Sequence, residues 1–292
     1  MPTRTSENTP ADTLPGWWQW ALSRPGRPGT LNSEAGRIHY LQWGDDPGKP
    51  PLLLAHGFRA HAHWWDMVAP FLAEQYRVYA LDFTGMGDSD HRTEYTSNCH
   101  REDIVALIEQ LGLGPVTAVG HSFGGGRLLQ ACAWRPDLFD HAVVVDTHQL
   151  FEGVDIPDDP VVQKKSRLYP DFESGIQRFR LAPEQPESLD CLVRHVGRHS
   201  LRQVKGGWTW KFDQAMTSAT FAVAEADRLL PTVTTPVDVV YGSLSLVVPD
   251  DMAHRVHAEL GNPGKRVCIP DGHHHLMLDQ PVALISVLRA LL

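Results

Sequence analysis

From Gly36 onward, apolar residues recur along the chain with two different periods. RIHYLQW (37–43) alternates in the manner of an edge strand, PLLLA (51–55) is a short unbroken apolar run, WWDMVAPFLAE (64–74) has helical spacing, and YRVYALD (76–82) reads as a strand again. The alternation continues: HREDIVALIEQLGL (100–113) predicts a helix, VTAVG (116–120) a strand, GGGRLLQACAWRP (124–136) a helix and HAVVVD (141–146) a strand. Strands that alternate with helices imply parallel pairing, and runs such as VTAV and AVVVD, apolar on both faces, need helices on both sides. The expected fold class is α/β, a doubly wound, mostly parallel sheet.

After Asp146 the alternation stops, and about 85 residues pass before the next strand-like run, PVDVVYG (236–242), too many for an ordinary loop. DFESGIQRFRLA (171–182) and ESLDCLVRHVGRHSLRQV (187–204) have helical periodicity, interrupted by APEQPE, so a helical cap inserted over residues 148–232 is expected. The core then comprises residues 36–147 and 233–292. It closes with DDMAHRVHAEL (250–260) as a helix, KRVCI (265–269) as a strand and PVALISVLRALL (281–292) as a helix. Residues 1–35 are rich in Pro, Gly, Ser and Thr and read as a loose N-terminal extension, apart from Trp17, Trp18 and Trp20, which are expected to dock on the body.

Charge and composition narrow the function class. With 26 Lys and Arg against 35 Asp and Glu, the net charge is −9 and no basic stripe is present, which argues against nucleic acid as a partner. The N-terminus lacks the apolar stretch of a signal peptide, and no apolar run approaches the roughly 18 residues that span a bilayer, so a cytoplasmic protein without membrane attachment is expected. Cys99, Cys132, Cys191 and Cys268 lie far apart with no C-x-x-C pairing and are expected to pack as small buried groups in a reduced compartment. No internal repeat is apparent.

The sharpest chemical signal is Gly120-His121-Ser122-Phe123-Gly124, a G-x-S-x-G that follows the strand VTAV and opens a helix. In that context it is a nucleophile elbow: a tight turn exposes the Ser122 hydroxyl at the top of the sheet, and a Cβ at either flanking glycine would strike the neighbouring strand or helix. A serine hydroxyl needs a base within hydrogen-bond reach and a third group to orient that base. KRVCIPDGHHHLMLDQP (265–281) supplies His273, His274 and His275 between the last strand and the last helix, where the order nucleophile, acid, base puts the histidine. A metal site in this run is not expected, because consecutive side chains on one short loop converge poorly on one ion.

On these motifs residues 36–292 resemble the α/β-hydrolase superfamily of the esterase, C–C hydrolase and epoxide-hydrolase type. The resemblance implies a catalytic histidine five residues before the acid of a D-x-P signature. Here that is Asp279-Gln280-Pro281, which selects His274 ahead of His273 and His275. It also implies an acid in G-x-x-D after the strand VDVVYG, where this chain has Gly242-Ser243-Leu244-Ser245. Some members carry the acid at the end of the strand after the nucleophile helix, which selects Asp146, with Asp250 and Asp251 as weaker alternatives on a helix start. Acyl transfer requires two N–H donors for the oxyanion. One is expected from Phe123, and the other, by resemblance to the family's His-Gly-x motif, from Phe58 of His56-Gly57-Phe58. Asp82 to Asp90 resembles the family's D-x-x-G-x-G-x-S turn and is expected to shape a loop.

Trp64 and Trp210 are candidate substrate-binding residues. Members that open epoxides or remove halides attack with Asp, which disfavours those activities here. The expected function is hydrolysis of a small carboxylic ester through an acyl-enzyme, without cofactor or metal. The alternatives are a C–C hydrolase or lactonase on the same triad, or a binding protein without turnover, the last motivated by Ser245.

Overall fold

A computed structural model describes residues 14–33, 36–152, 167–186, 188–216 and 225–292. Their main sheet has eight strands in the order β1-β2-β4-β3-β5-β6-β9-β10, namely β1 (Arg27–Ser33), β2 (Gly36–Trp43), β3 (Pro51–Ala55), β4 (Arg77–Leu81), β5 (Val116–His121), β6 (Phe139–Val145), β9 (Val237–Gly242) and β10 (Pro263–Ile269). From β4 through β3, β5, β6 and β9 to β10 all pairings are parallel, whereas β1 with β2 and β2 with β4 are antiparallel.

Period-two geometry explains why the sheet carries a core on each face. In β3, Leu53 and Ala55 join one apolar cluster while Leu52 and Leu54 join the other; in β6, Ala142 and Val144 face the first and Val143 and Val145 the second. The first cluster is covered by helices Cys99–Gln110 and Phe123–Trp134 through Ile104, Leu107, Leu128 and Leu129. The second is covered by the terminal helix Pro281–Leu291 through Leu284 and Leu288, with Trp65 and Leu72. All six residues of β9 are buried, as expected of a doubly covered strand. No helix among the described residues is long and apolar enough to cross a membrane.

The N-terminal segment differs from the loose extension expected. Gly16–Leu22 is a helix whose Trp18 is 1% exposed in the second cluster, and β1 pairs in register from Arg27↔Gln42 to Ser33↔Gly36, so β2 is not an edge. RPGTLNS escapes detection because Leu31 is its one buried residue; backbone pairing, not apolar periodicity, makes it a strand. WWDMVAPFLAE is likewise not one helix. A 3-10 turn over Ala62–Trp65 is followed by a separate short helix Ala69–Leu72 with Pro70 in its first turn, since a proline has no N–H and clashes with the preceding turn. Cys99 and Cys132 are buried and Cys191 partly so, whereas Cys268 is exposed; all four are free.

The described residues between β6 and β9 add no strand to the main sheet. Its described part is mixed rather than helical: helices Phe172–Ile176 and Asp190–His199 are followed by a hairpin of β7 (Leu201–Val204) and β8 (Gly207–Trp210). LRQV, expected to continue the helix, turns into a strand because Gly206 and Gly207 adopt φ of 95° and 150° and fold the chain back. The expected cap residues 153–166, 187 and 217–224 lie outside the described residues.

Candidate active site

Ser122 directly follows β5 with φ 52° and ψ −119°, a strained conformation immediately before helix Phe123–Trp134. Its N–H donates to Val145 O at 2.9 Å, and its carbonyl accepts from Gly125 and Gly126 N–H at 3.0 and 3.2 Å, so the turn is tied to β6 and to the helix. The glycines are sterically required. A Cβ on Gly120 would lie 2.6 Å from Gly125 Cα, and one on Gly124 would lie 2.5 Å from His56 O and 2.6 Å from Ala55 O. The strand, the turn and the end of β3 therefore pack backbone to backbone.

Asp146 follows β6 on the neighbouring strand and is fully buried, with φ 46°. Its Oδ2 accepts from Gly242 N–H at 3.0 Å, and its Oδ1 accepts from Ser245 Oγ at 2.7 Å and from His274 Nδ1 at 2.7 Å. Because a carboxylate oxygen only accepts, His274 Nδ1 carries the proton and Nε2 is left as the basic nitrogen. Ser245, at the position where the family pattern has its acid, instead donates to the acid, while its oxygen accepts from Val247 and Val248 N–H at 3.2 and 3.1 Å. Sequence reasoning missed this partnership; the two residues are 99 positions apart and no local signal joins them.

The three histidines of the run diverge. His273 turns to Asp279, whose Oδ2 accepts from its backbone N–H at 2.7 Å and from Nδ1 at 2.9 Å, so the acid of the Asp-Gln-Pro signature shapes the loop. His274 reaches Asp146. His275 is buried, its ring 5.1 Å from that of Trp64, and burial followed by the neighbouring His274 lowers its pKa to about 3. The His274 carbonyl accepts from His121 Nε2 at 2.9 Å, which fastens the histidine loop to the residue preceding Ser122. Burial, reinforced by His274 and His275, holds His121 well below the ordinary histidine pKa and keeps it neutral. Asp250 and Asp251 sit on an exposed helix start, with Asp250 paired to Arg266 at 2.9 Å and hydrogen-bonded by Tyr241, away from His274.

His56 Nδ1 donates to Gly57 O at 2.7 Å and its Nε2 accepts from Phe83 N–H at 3.2 Å, so the neutral ring braces its loop. A Cβ on Gly57 would lie 3.6 Å from Ser122 Cβ, which puts this loop against the serine turn, and the rings of Phe58 and Phe123 lie 5.5 Å apart. Asp82 accepts from Ala62 N–H at 2.6 Å, Asp88 N–H at 2.9 Å and His39 Nδ1 at 2.7 Å. Burial opposes its ionisation, yet the His39 hydrogen bond and charge hold the carboxyl well below the usual range. Trp64 is 7% exposed and adjoins the site through His275. Trp210 instead packs within the insert, 5.6 Å from the Tyr169 ring, and stacks 6.4 Å from Phe212, whose ring meets Arg59 at 4.9 Å.

The profile of the alpha/beta hydrolase fold family matches residues 50–281. Among curated relatives, the esterase Rv0045c of Mycobacterium tuberculosis is 27% identical over 267 residues, covering 89% of this chain and 87% of that protein. Epoxide hydrolase 4 of Mus musculus is 25% identical over 274 residues, covering 88% and 76%. Among solved structures, a thioesterase domain from the curacin biosynthetic pathway superposes with a TM-score of 0.76 at 23% identity, covering 90% of this chain and 99% of that domain. Sheet order, serine turn and family profile agree, and the chain belongs to the alpha/beta hydrolase fold family.

Proposed function

We propose that the protein is a serine hydrolase that cleaves small carboxylic esters through an acyl-enzyme. The observation that carries this reading is the 2.7 Å bond from His274 Nδ1 to the buried Asp146, on a loop fastened beside Ser122. In the proposed reaction, Ser122 Oγ attacks the ester carbonyl carbon and its proton passes to His274 Nε2. Asp146 holds the ring in that tautomer and stabilises the imidazolium. The carbonyl oxygen becomes an oxyanion that accepts from the N–H groups of Phe58 and Phe123, the latter at the positive end of a twelve-residue helix. The intermediate collapses, His274 returns the proton to the departing alkoxide, and water then repeats the sequence on the acyl-enzyme to release the acid.

The insert is proposed to cover this site. Support comes from three places where it meets the core: Gln185 Oε1 accepts from His275 N–H at 2.9 Å, Arg59 donates to Met216 O at 2.9 Å, and His195 meets Asp66 at 2.6 Å. Trp64, beside His275, is proposed to line the acyl side; the packing of Trp210 within the insert favours a structural role for it. A binding protein without turnover was motivated by Ser245, and a carboxylate from Asp146 removes that motive. Turnover of short p-nitrophenyl esters tests the proposal. Wild-type protein is expected to turn over and to be labelled at Ser122 by a fluorophosphonate, and Ser122→Ala to lose both; turnover that persists in Ser122→Ala overturns it. Lactones and vinylogous diketones run in parallel decide between ester, lactone and C–C bonds.

A further inference from the structure

Away from the serine turn, a second group of histidines gathers round a carboxylate. His63 and Asp66 lie at the start and just past the end of the 3-10 turn that follows β3, spaced H-x-x-D; His195 and His199 lie on helix Asp190–His199, spaced H-x-x-x-H. On a helix that spacing projects both imidazoles from one face. One ligand atom from each of the four residues lies within 4.8 Å of all the others. Asp66 Oδ2 meets His63 Nδ1 at 2.8 Å and His195 Nε2 at 2.6 Å, and the His199 ring stacks on that of His63 with centroids 3.6 Å apart.

We propose that His63, Asp66, His195 and His199 bind a divalent transition-metal cation, Zn2+ in the first instance, which clips the insert to the core. The proposal departs from the expectation of a protein without metal; the cluster lies apart from the run at His273 to His275 and is independent of the proposed esterase chemistry.

Two observations carry the proposal. The donor set of three imidazoles and one carboxylate matches a four-coordinate zinc site; hard cations such as Ca2+ and Mg2+ prefer oxygen-rich shells. Asp66 Oδ1 is sealed from solvent and has no hydrogen-bond partner among the described residues, which a hydrogen-bonded network alone leaves unexplained. Ligand atoms around zinc stand about 3.3 Å apart, so side-chain rotations of about 1 Å contract the present cluster onto an ion. An apolar backing exists as well: the Trp18 ring meets His195 edge to face at 5.0 Å.

Asp82 is filled by backbone N–H donors and His39, and His121 and His274 bond the His274 carbonyl and Asp146.

The test uses the full chain, stripped with a chelator and titrated with Zn2+ alone by calorimetry, with metal content after dialysis measured by mass spectrometry. One Zn2+ per chain is expected to remain bound, and Co2+ in its place is expected to give the intense visible absorption of a tetrahedral site. A His195→Ala/His199→Ala double variant is expected to lose that ion and that absorption. Asp66→Asn, which keeps the side-chain shape, is expected to weaken binding at least tenfold. His274→Gln is expected to keep the full stoichiometry, which separates this site from the serine centre. Zn2+ is also expected to raise the Tm of the wild type in a concentration-dependent way and to leave that of the double variant unmoved. Absence of a bound ion in the wild type overturns the proposal. So does unchanged binding in both the double variant and Asp66→Asn, or loss of the ion in His274→Gln.

Discussion

Asp146 and Asp66 each hold histidines, one at the C-terminal end of the central strands and one at the seam between core and insert. Asp146 is fully enclosed and both its oxygens are satisfied, by Gly242 N–H, Ser245 Oγ and a single imidazole. Asp66 concentrates two imidazoles on one oxygen, has a third ring stacked alongside, and leaves its other oxygen unpartnered among the described residues. A carboxylate whose spare lone pairs are filled by fixed donors can orient one histidine and stabilise its charge, which suits proton transfer. A carboxylate with open capacity among several imidazoles suits a cation. The same two residue types thus serve different chemistry according to what fills the remaining lone pairs.

The largest expected effect separates these two centres by mutation. Asp146→Asn is expected to lower kcat on p-nitrophenyl esters by about 10⁴-fold with folding retained, because the amide favours the wrong tautomer of His274. Asp66→Asn is expected to leave kcat within about tenfold while weakening the cation, because its carboxylate touches no reacting group. Steady-state kinetics on both variants break the comparison if the two losses are equal.

Gly124→Ala addresses the framework shared by the serine and Asp146. Its Cβ would meet two carbonyls of the β3 end at 2.5 and 2.6 Å, both backbone atoms, and a loss of about 3 kcal/mol in urea denaturation is expected.

Acid should weaken both centres through histidines held neutral. His275 at one centre and His199 at the other have folded pKa values of about 3, below the ordinary 6.5 of the unfolded chain, as does the buried His100. The unfolded state therefore binds more protons between those limits, so stability is full above pH 6.5 and falls as pH drops toward 3. Each histidine contributes up to about 1.4 kcal/mol per pH unit. Urea midpoints at pH 7 and pH 5 check the slope, which is expected to be shallower in His199→Gln.

The smallest effect belongs to Ser245→Ala. It removes one donor from Asp146 and one acceptor from Val247 and Val248 N–H, for an expected loss of about 1–2 kcal/mol and a fall in kcat of about tenfold. An unchanged kcat would mean that Gly242 N–H alone suffices to fix the carboxylate.

The core was legible where burial imposes a period. The helices Cys99–Gln110 and Phe123–Trp134 and the strands β5, β6 and β9 follow their apolar patterns because each packs against a continuous core. The edge strand β1 and the hairpin β7–β8 were not legible, since backbone pairing and two glycines with positive φ, rather than apolar spacing, decide them. At the candidate site, the serine turn and the His274 loop could be read from motif and spacing. Ser245 as a partner of Asp146 could not.

By itself the sequence determined the α/β alternation, the glycine-flanked Ser122 and the set of histidines available as bases, because these depend on near neighbours and on backbone sterics. Which carboxylate meets which histidine was decided by tertiary structure alone. His274 and Asp146 are 128 positions apart, and His195 and Asp66 are 129 apart. A hydrogen bond acts over about 3 Å, so only the strand order that sets β6, β9 and β10 side by side, and the docking of the insert on the core, could select those pairs.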